Sequence, residues 1–201
     1  KHLDLVPLDP SYLYHAVITN GLRYILSQTV TNAIGMQPAG NPDGNGNGRG
    51  VTVSAAGLGT HPNVENYSLS MAMMAIAASR APTNVVAAAG SPVNGWTYMQ
   101  VLQDMVDYMS WGQADPGVGR GGWCYTPNAA ADESNSGWVS LALAYTEECF
   151  GIYPPAFVRN EMQYYVTTVQ NTNTLAYFSY GGASYQTNDN TVNGLRTGNL
   201  L

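Results

Sequence analysis

Charged residues are scarce in this chain: only 10% of its 201 residues are Asp, Glu, Lys or Arg, and the single lysine is Lys1. The net charge of −6 and the isoelectric point near 4.7 provide no basic surface, so we expect neither nucleic acid nor an anionic membrane as a partner. Gly, Asn, Thr and Tyr are plentiful instead. That balance is typical of secreted proteins, and we expect an extracellular or cell-surface location.

Long apolar runs are also lacking. No stretch of about 18 apolar residues exists that could cross a bilayer as a helix. The chain starts at Lys1 without a charged and then apolar leader, so we expect any signal peptide to have been removed or to lie outside this sequence.

Cysteine is nearly absent, and Cys124 and Cys149 could form one disulfide in an extracellular setting. A helix from about Ser134 to Cys149 would separate its ends by about 22 Å, whereas bridged Cα atoms lie within about 7 Å. Two buried thiols are therefore favoured over a disulfide.

The stretch Trp96–Phe150 is the most informative part of the chain. Its first part has apolar residues every three or four positions, with Gln100, Gln103, Asp104 and Asp107 between them, which predicts a helix with a solvent-exposed polar face. A glycine-rich corner follows at 117–127. The next run, Trp138–Tyr145, carries no charge, which predicts an interior helix from about Ser134 to Cys149.

Similar patterns flank this stretch. Helices are predicted over Tyr14–Gln28, Asn66–Ser79, Val158–Val169 and Val192–Leu201, and the Gly- and Asn-rich segment 41–50 is predicted to be irregular. Alternating one-sided and apolar helices predict stacked outer/inner hairpins in units of roughly 11–80, 96–150 and 155–201. We therefore expect one all-α domain, an α/α toroid or open arc of about three hairpins with long loops.

An arc of three hairpins would leave apolar edges open. No capping unit follows Leu195, Leu200 and Leu201, so we expect either self-association through that edge or further repeats in a longer polypeptide.

Several segments of the second unit resemble the prenyltransferase and squalene-cyclase repeat. They are Trp111-Gly112-Gln113, Gly121-Gly122-Trp123-Cys124-Tyr125, Asp132-Glu133-Ser134 and Trp138-Val139-Ser140-Leu141-Ala142-Leu143. The resemblance implies an (α/α)n barrel in which a corner tryptophan, here Trp123, and a glutamine, here Gln113, clamp adjacent helices. The spacing between Gln113 and Trp123 is slightly longer than the usual pattern.

The chemistry of that family is not matched by the sequence. The Asp-x-Asp-Asp motif with which its cyclases protonate their substrate is missing, as are clustered aspartates for magnesium. Asp132 and Glu133 are the only adjacent acidic pair near the mouth of an inner helix, and capping of the helix N-terminus is their favoured interpretation. The family's zinc ligands would correspond to Asp132, to Cys124 or Cys149, and to His61, which lack the spacing of a zinc site.

Three further patterns bear on function. Asp43, Asn45 and Asn47 match the opening of a calcium loop, but Ser54 stands where the closing glutamate would be, so a flexible polar loop is favoured. Asn66 begins a glycan acceptor sequence that helix burial could hide. A third group consists of aromatic residues that could line a pocket for an apolar or sugar ligand, although helix clamps are favoured: Trp96, Trp111, Trp123, Tyr125 and Trp138.

We therefore expect a non-catalytic extracellular module for scaffolding, surface assembly or ligand binding, with no cofactor. Two alternatives remain. One is an isoprenoid cyclase or transferase that uses Asp132 or Glu133 as its acid, and the other is a polysaccharide-active α/α barrel, for which no convincing pair of acid and base residues occurs.

Overall fold

A computed structural model describes residues 7–54, 57, 65–117, 119–171 and 182–183. Within these residues, five helices lie where the hydrophobic periodicity predicts them. They are α1 (His15–Ser27), α2 (Glu65–Ala78), α3 (Tyr98–Trp111), α4 (Glu133–Phe150) and α5 (Ala156–Val169). The predicted helix Val192–Leu201 and the predicted open edge at Leu195, Leu200 and Leu201 lie outside the described residues.

The prediction of an all-α arc of helical hairpins is wrong, because the chain also forms strands. β1 (Thr29–Ala33) pairs antiparallel with β2 (Arg49–Val53), with Thr29 opposite Val53 and Ala33 opposite Arg49. A second, shorter antiparallel pair joins β3 (Gln170–Asn171) to β4 (Gly182–Ala183). Both β1 and β2 are rich in Val and Thr, whose β-branched side chains favour strands. The fold is therefore mixed, with helices and antiparallel strands.

The β1–β2 hairpin is part of the core rather than a surface attachment. Val51 and Val53 on β2 are completely buried, and this strand packs against α2 and α3. β1 is the outer strand, with Val30 exposed. The hairpin and its loop cover the side of α3 that was predicted to face solvent, so Asp104 and Asp107 are buried instead of exposed.

The two apolar helices α2 and α4 form the most extensive helix pair among the described residues. α2 is deeply buried, through Leu69, Met73 and Ile76. The prediction that α4 is interior is wrong, because Trp138, Leu141 and Tyr145 are 36%, 42% and 45% exposed. Lack of charge shows that a helix surface is apolar, but it does not show that the surface is covered.

Capping residues fix the ends of the helices that carry the corner. Thr97 and Gln100 form a capping box at the start of α3. Asp132 caps α4 by accepting a hydrogen bond from the Asn135 N–H, and Gly151, in the left-handed conformation, is the C-cap that follows α4. Within the described part of the chain, no helix combines the length and the apolar character that a membrane crossing requires.

Candidate functional site

The glycine-rich corner between α3 and α4 joins three helices. Trp123 is completely buried, and its indole N–H donates to the Met109 carbonyl of α3 at 2.9 Å. Its backbone N–H donates to Ser136 Oγ of α4 at 2.9 Å. Gln113 is also buried, and its amide donates to the carbonyls of Gly121 in the corner and Val158 in α5. The arrangement is that of a clamp, and it leaves Trp123 no surface for a ligand.

The corner lies directly on α5. Gly121 has φ +87°, and a Cβ atom added there would stand 1.9 Å from the Glu161 carbonyl oxygen, so only glycine fits. The neighbouring Arg120 binds the Glu161 carboxylate through two nitrogens, at 2.5 and 2.7 Å, and its guanidinium covers the Tyr164 ring. These contacts hold the corner rigidly against its neighbour helix.

Two further tryptophans from the predicted aromatic set also have structural partners. Trp96 lies under the Arg49 guanidinium at 4.7 Å, which connects the start of α3 to β2. Trp111 packs against Tyr108, and its carbonyl accepts a hydrogen bond from the Gln37 side chain. The structure thus separates Trp96, Trp111 and Trp123 from a shared pocket.

The remaining two members of the set are exposed and lie at the α2–α4 pair. Tyr67 of α2 meets Trp138 of α4 edge to face, with 5.8 Å between ring centroids. Tyr125 is 41% exposed, and its carbonyl accepts from the Asn66 N–H at the start of α2. Leu141 and Tyr145 follow Trp138 along α4. We call these five residues the aromatic face: Tyr67, Tyr125, Trp138, Leu141 and Tyr145.

Sequence reasoning identified only Tyr125 and Trp138 from this face. Leu141 and Tyr145 were missed because α4 was predicted to be interior. Tyr67 was missed because α2 is apolar around most of its circumference, and periodicity alone cannot show which side of such a helix stays uncovered. The spacing Trp138, Leu141, Tyr145 follows one helix face and was the available signal.

The two residues of the acidic pair at the start of α4 have different environments. Asp132 is a helix cap, with further hydrogen bonds from the side chains of Ser134 and Asn135. Glu133 is only 2% exposed, and its Oε2 has no hydrogen-bond partner. Burial, and secondarily the charge of Asp132, raises the pKa of Glu133 to about 7.

Among the described residues, cavities also lie away from the acidic pair. One of about 280 Å³ lies between α4 and α5, with Leu143, Val158 and Met162 in its wall. The other, of about 170 Å³, lies beside α1 and includes His15 and Tyr98. Neither of these two cavities is lined by Asp132 or Glu133.

Asp132, Cys124 and Cys149 are the described residues that would correspond to the zinc ligands of the resembling family. Cys124 and Cys149 are free thiols, and Cys124 Sγ lies 3.9 Å from Asp132 Oδ2. Burial raises the pKa of the Cys124 thiol. His61 lies outside the described residues. In the described ranges, no three His, Cys, Asp or Glu side chains are close enough to share a metal ion.

The polar segment with Asp43, Asn45 and Asn47, for which a flexible loop was favoured, is hydrogen-bonded to α3. We call residues 34–48, between β1 and β2, the hairpin loop. Asn45 and Asn47 donate side-chain hydrogen bonds to Asp104 of α3, and the Gly44 N–H donates to Asp107. Burial raises the pKa of Asp104, and it raises the pKa of Asp107 to about 7.

The predicted glycan acceptor is inaccessible in this fold. Asn66 is completely buried, and its side-chain nitrogen, which would carry the sugar, donates to the Cys124 carbonyl at 2.8 Å. The structure therefore does not support glycosylation of the folded chain at this position.

Comparison of the chain with protein-family models, with curated proteins and with solved structures gave no match. The geometry of the chain itself therefore carries the functional argument.

Proposed function

We propose that this chain is a non-catalytic extracellular module that binds an apolar or sugar ligand through the aromatic face. The observation that carries the proposal is the exposure of this face, of which four residues lie on α2 and α4, two helices that pack extensively against each other. A contiguous exposed apolar surface on a soluble protein is typical of an interaction site, whereas single exposed apolar residues are common and carry no such meaning.

The construction of the face favours recognition of a flat or apolar group. The edge-to-face contact of Tyr67 with Trp138 fixes the orientation of both rings. Tyr125 is fixed through its backbone to the N-terminus of α2, and Leu141 and Tyr145 extend the surface along α4. Rigid aromatic side chains lose little conformational entropy on binding, so the entropic cost of binding a ligand to this surface is small.

The non-catalytic part of the proposal rests on the acidic residues. A general acid has to come within hydrogen-bond reach of its substrate. Asp132 has both carboxylate oxygens engaged in capping α4, and Glu133 is buried beneath the surface. Their positions favour a structural role for Asp132 and do not favour the cyclase-like or polysaccharide-active alternatives.

The extracellular part rests on composition: one lysine, few charges and many Gly, Asn, Thr and Tyr residues. A second copy of this chain is the other candidate partner for the aromatic face. Sedimentation velocity of the wild type and of Trp138→Ala, at micromolar concentration, separates self-association from binding of a small ligand.

The test of ligand binding is a titration followed by intrinsic tryptophan fluorescence. Farnesol serves as the apolar probe and cellohexaose as the sugar probe. We expect one of them to give a saturable change in the wild type. We expect Trp138→Ala and Tyr67→Ala to weaken binding at least about tenfold, since each removes an aromatic ring from the aromatic face. Isothermal titration calorimetry provides the same measurement for variants that lack Trp138.

The matched control is Tyr153→Ala. Tyr153 lies after the C-terminus of α4 and is 60% exposed, and the Arg159 guanidinium of α5 lies over its ring. This change therefore removes an exposed aromatic ring outside the aromatic face. The proposal fails if neither probe binds, or if Tyr153→Ala weakens binding as much as Trp138→Ala does.

A further inference from the structure

The cavity of about 170 Å³ beside α1 has a polar wall that the proposed function does not use, and we call it the α1 cavity. One side of it is a face of α1. On that face His15, Thr19 and Arg23 follow each other at intervals of four residues, and Leu26 comes three positions later. Residues three or four apart are neighbours on a helix surface, so these side chains form one continuous strip.

A second side of the α1 cavity comes from the connector, residues 79–97, and from the first residue of α3. The connector contributes Asn84, Val85 and Ala87, and α3 contributes Tyr98. Val85 forms a β-bridge with Thr97, and the Tyr98 N–H donates to the Asn84 carbonyl at 2.8 Å. The connector thus doubles back and places Asn84 beside Tyr98.

Hydrogen bonds also hold the connector against the C-terminal end of α1. The Ser91 hydroxyl donates to the Leu26 carbonyl at 2.8 Å, and the Thr29 hydroxyl donates to the same carbonyl at 2.9 Å. Within the connector, the Ala88 N–H donates to the Asn94 side chain at 3.0 Å. The protein's own hydrogen bonds therefore fix both walls, as in most preformed ligand sites.

Tyr98 provides a hydroxyl group without a partner. The residue is only 8% exposed. Within the described part of the chain its hydroxyl makes no hydrogen bond, yet protein atoms do not enclose it, so it is open to the cavity that Tyr98 lines. Tyrosine hydroxyls on buried residues usually have a hydrogen-bond partner. A ligand in the α1 cavity would supply one.

Arg23 adds a positive charge to the same cavity. Its guanidinium pairs with none of the described carboxylates, whereas Arg120 and Arg159 both form salt bridges with glutamates. Burial raises the pKa of Tyr98, and the charge of Arg23 acts in the opposite direction, so the guanidinium lies near the unpartnered hydroxyl. A charged donor and a neutral donor therefore serve the same space.

The remaining polar groups of the wall suit an anion. The Thr19 hydroxyl and the Asn84 amide can donate hydrogen bonds, and His15 Nε2 lies 3.4 Å from Thr19 Oγ1. The described lining includes no carboxylate. Asp9, whose charge acts on His15, lies outside the lining and accepts two hydrogen bonds from Ser11. An anion in the cavity would meet donors rather than acidic groups.

The size and the apolar part of the α1 cavity restrict the class of ligand. Its apolar lining consists of Leu8, Leu26, Val85 and Ala87. A cavity of about 150 Å³ holds benzene in an engineered protein, so the α1 cavity has room for a carbon body of about six atoms. A single permanent cation with neutral donors matches one negative charge, and the guanidinium fork matches the two oxygens of a carboxylate.

We propose that the α1 cavity binds a small organic monocarboxylate, with the carboxylate between Arg23 and the Tyr98 hydroxyl and the carbon body against Leu26 and Val85. This inference goes beyond the proposed function, because the aromatic face lies on α2, α4 and the corner between α3 and α4. The chain then carries two separate ligand sites of different chemistry.

The experiment is calorimetric titration of the full chain with sodium benzoate at about pH 7, where carboxylates are ionised. We expect one benzoate per chain with a Kd on the order of 1 mM, which is a reasonable affinity for a ligand of about nine non-hydrogen atoms. Benzamide has the same shape without the charge, and inorganic phosphate lacks the carbon body. Each should bind at least about tenfold more weakly than benzoate.

Two variants test the assigned contacts. Arg23→Gln should weaken benzoate binding at least about tenfold, because it removes the charged donor. Tyr98→Phe keeps the ring and should weaken binding about three- to tenfold. Since the Tyr98 hydroxyl has no partner in the described chain, Tyr98→Phe should melt no lower than the wild type without benzoate. This second measurement separates a ligand contact from a structural role.

The matched control is Arg159→Gln, which removes a positive charge from a partly exposed ion pair on α5 and should bind benzoate like the wild type. The proposal is overturned if the wild type shows no saturable binding below about 10 mM benzoate, tenfold above the expected Kd. Binding of benzamide or phosphate as tight as that of benzoate would also overturn it. So would wild-type affinity in Arg23→Gln or Tyr98→Phe, a lower melting temperature of Tyr98→Phe, or an equal loss of affinity in Arg159→Gln.

Discussion

Glu133 lies in an electrostatically unfavourable environment. Its carboxyl group is buried at the start of α4, its Oε2 has no hydrogen-bond partner, and Asp132 is its immediate neighbour. Burial disfavours the ionised form, and the neighbouring charge adds to that effect, so the pKa of Glu133 rises to about 7 from its ordinary value of 4.5. The folded chain therefore holds this proton more tightly than the unfolded chain does.

The pH dependence of stability follows from that difference. The stabilisation linked to Glu133 is fully present below about pH 4.5 and is lost as pH rises through about 7, where the folded state must accept a buried charge. We expect Glu133→Gln to remove this loss, so that the wild type loses on the order of 1–3 kcal/mol relative to the variant between pH 5 and pH 8. Urea denaturation at both pH values measures it.

Glu148→Gln is the control for this comparison, because Glu148 is an exposed glutamate on the same helix. Its stability should follow the wild type at both pH values. Parallel pH profiles for the wild type and Glu133→Gln would show that the buried carboxyl group does not titrate as described.

At the scale of the elements, the corner between α3 and α4 depends on one glycine. Gly121→Ala would place a methyl group against the α5 backbone at a residue with positive φ. We expect it to lower the free energy of unfolding by at least about 2 kcal/mol, from strain and overpacking together. Chemical denaturation monitored by circular dichroism is the measurement.

Gly21→Ala provides the opposite case. Gly21 lies inside α1, and a Cβ atom added there meets nothing within 4 Å. We expect this change to stabilise the chain by about 0.5–1 kcal/mol, because alanine is the better helix former and loses less entropy on folding. Equal effects of the two substitutions would contradict the specific role of Gly121.

The helices were predictable from the sequence, whereas the β1–β2 hairpin was not predicted. Apolar spacing identified all five described helices, since that signal extends over more than ten residues in each. β1 and β2 have only five residues each, and 15 mostly turn-forming residues separate them, so their pairing is less visible than a helix stripe. The Val and Thr content of both segments was the available signal.

The candidate sites were predictable only where they are local in sequence. The Asp132 cap and the Trp123 corner involve neighbouring residues, and the sequence pattern is sufficient to suggest them. The Tyr67–Trp138 contact and the Asn45–Asp104 contact join residues that lie far apart in the chain. Their formation depends on how α2 packs on α4 and how the hairpin packs on α3, which no local pattern encodes.

At the scale of the whole molecule, Trp123 links the packing of several elements. It belongs to the main core cluster, which includes residues of all five helices and β2, and it is hydrogen-bonded to α3 and α4. We expect Trp123→Ala to destabilise the fold by about 3–5 kcal/mol, as the loss of a large buried aromatic side chain does. A single cooperative thermal transition at lower temperature should result.

Trp138→Ala is the matched control, because it removes the same side chain from an exposed position. Its effect on stability should stay within about 1 kcal/mol. An unchanged melting temperature for Trp123→Ala would exclude the clamp.

The contact of the hairpin loop with α3 also determines how far the chain is modular. The stretch 96–150 resembles a self-contained unit in sequence, but its first helix has Asp104 and Asp107 buried under a segment that precedes it by about sixty residues. Separated at residues 80–95, the two pieces would each expose surface that only the other covers. The predicted units therefore interlock, and exchanging one of them between proteins would require the hairpin and α3 to be transferred together.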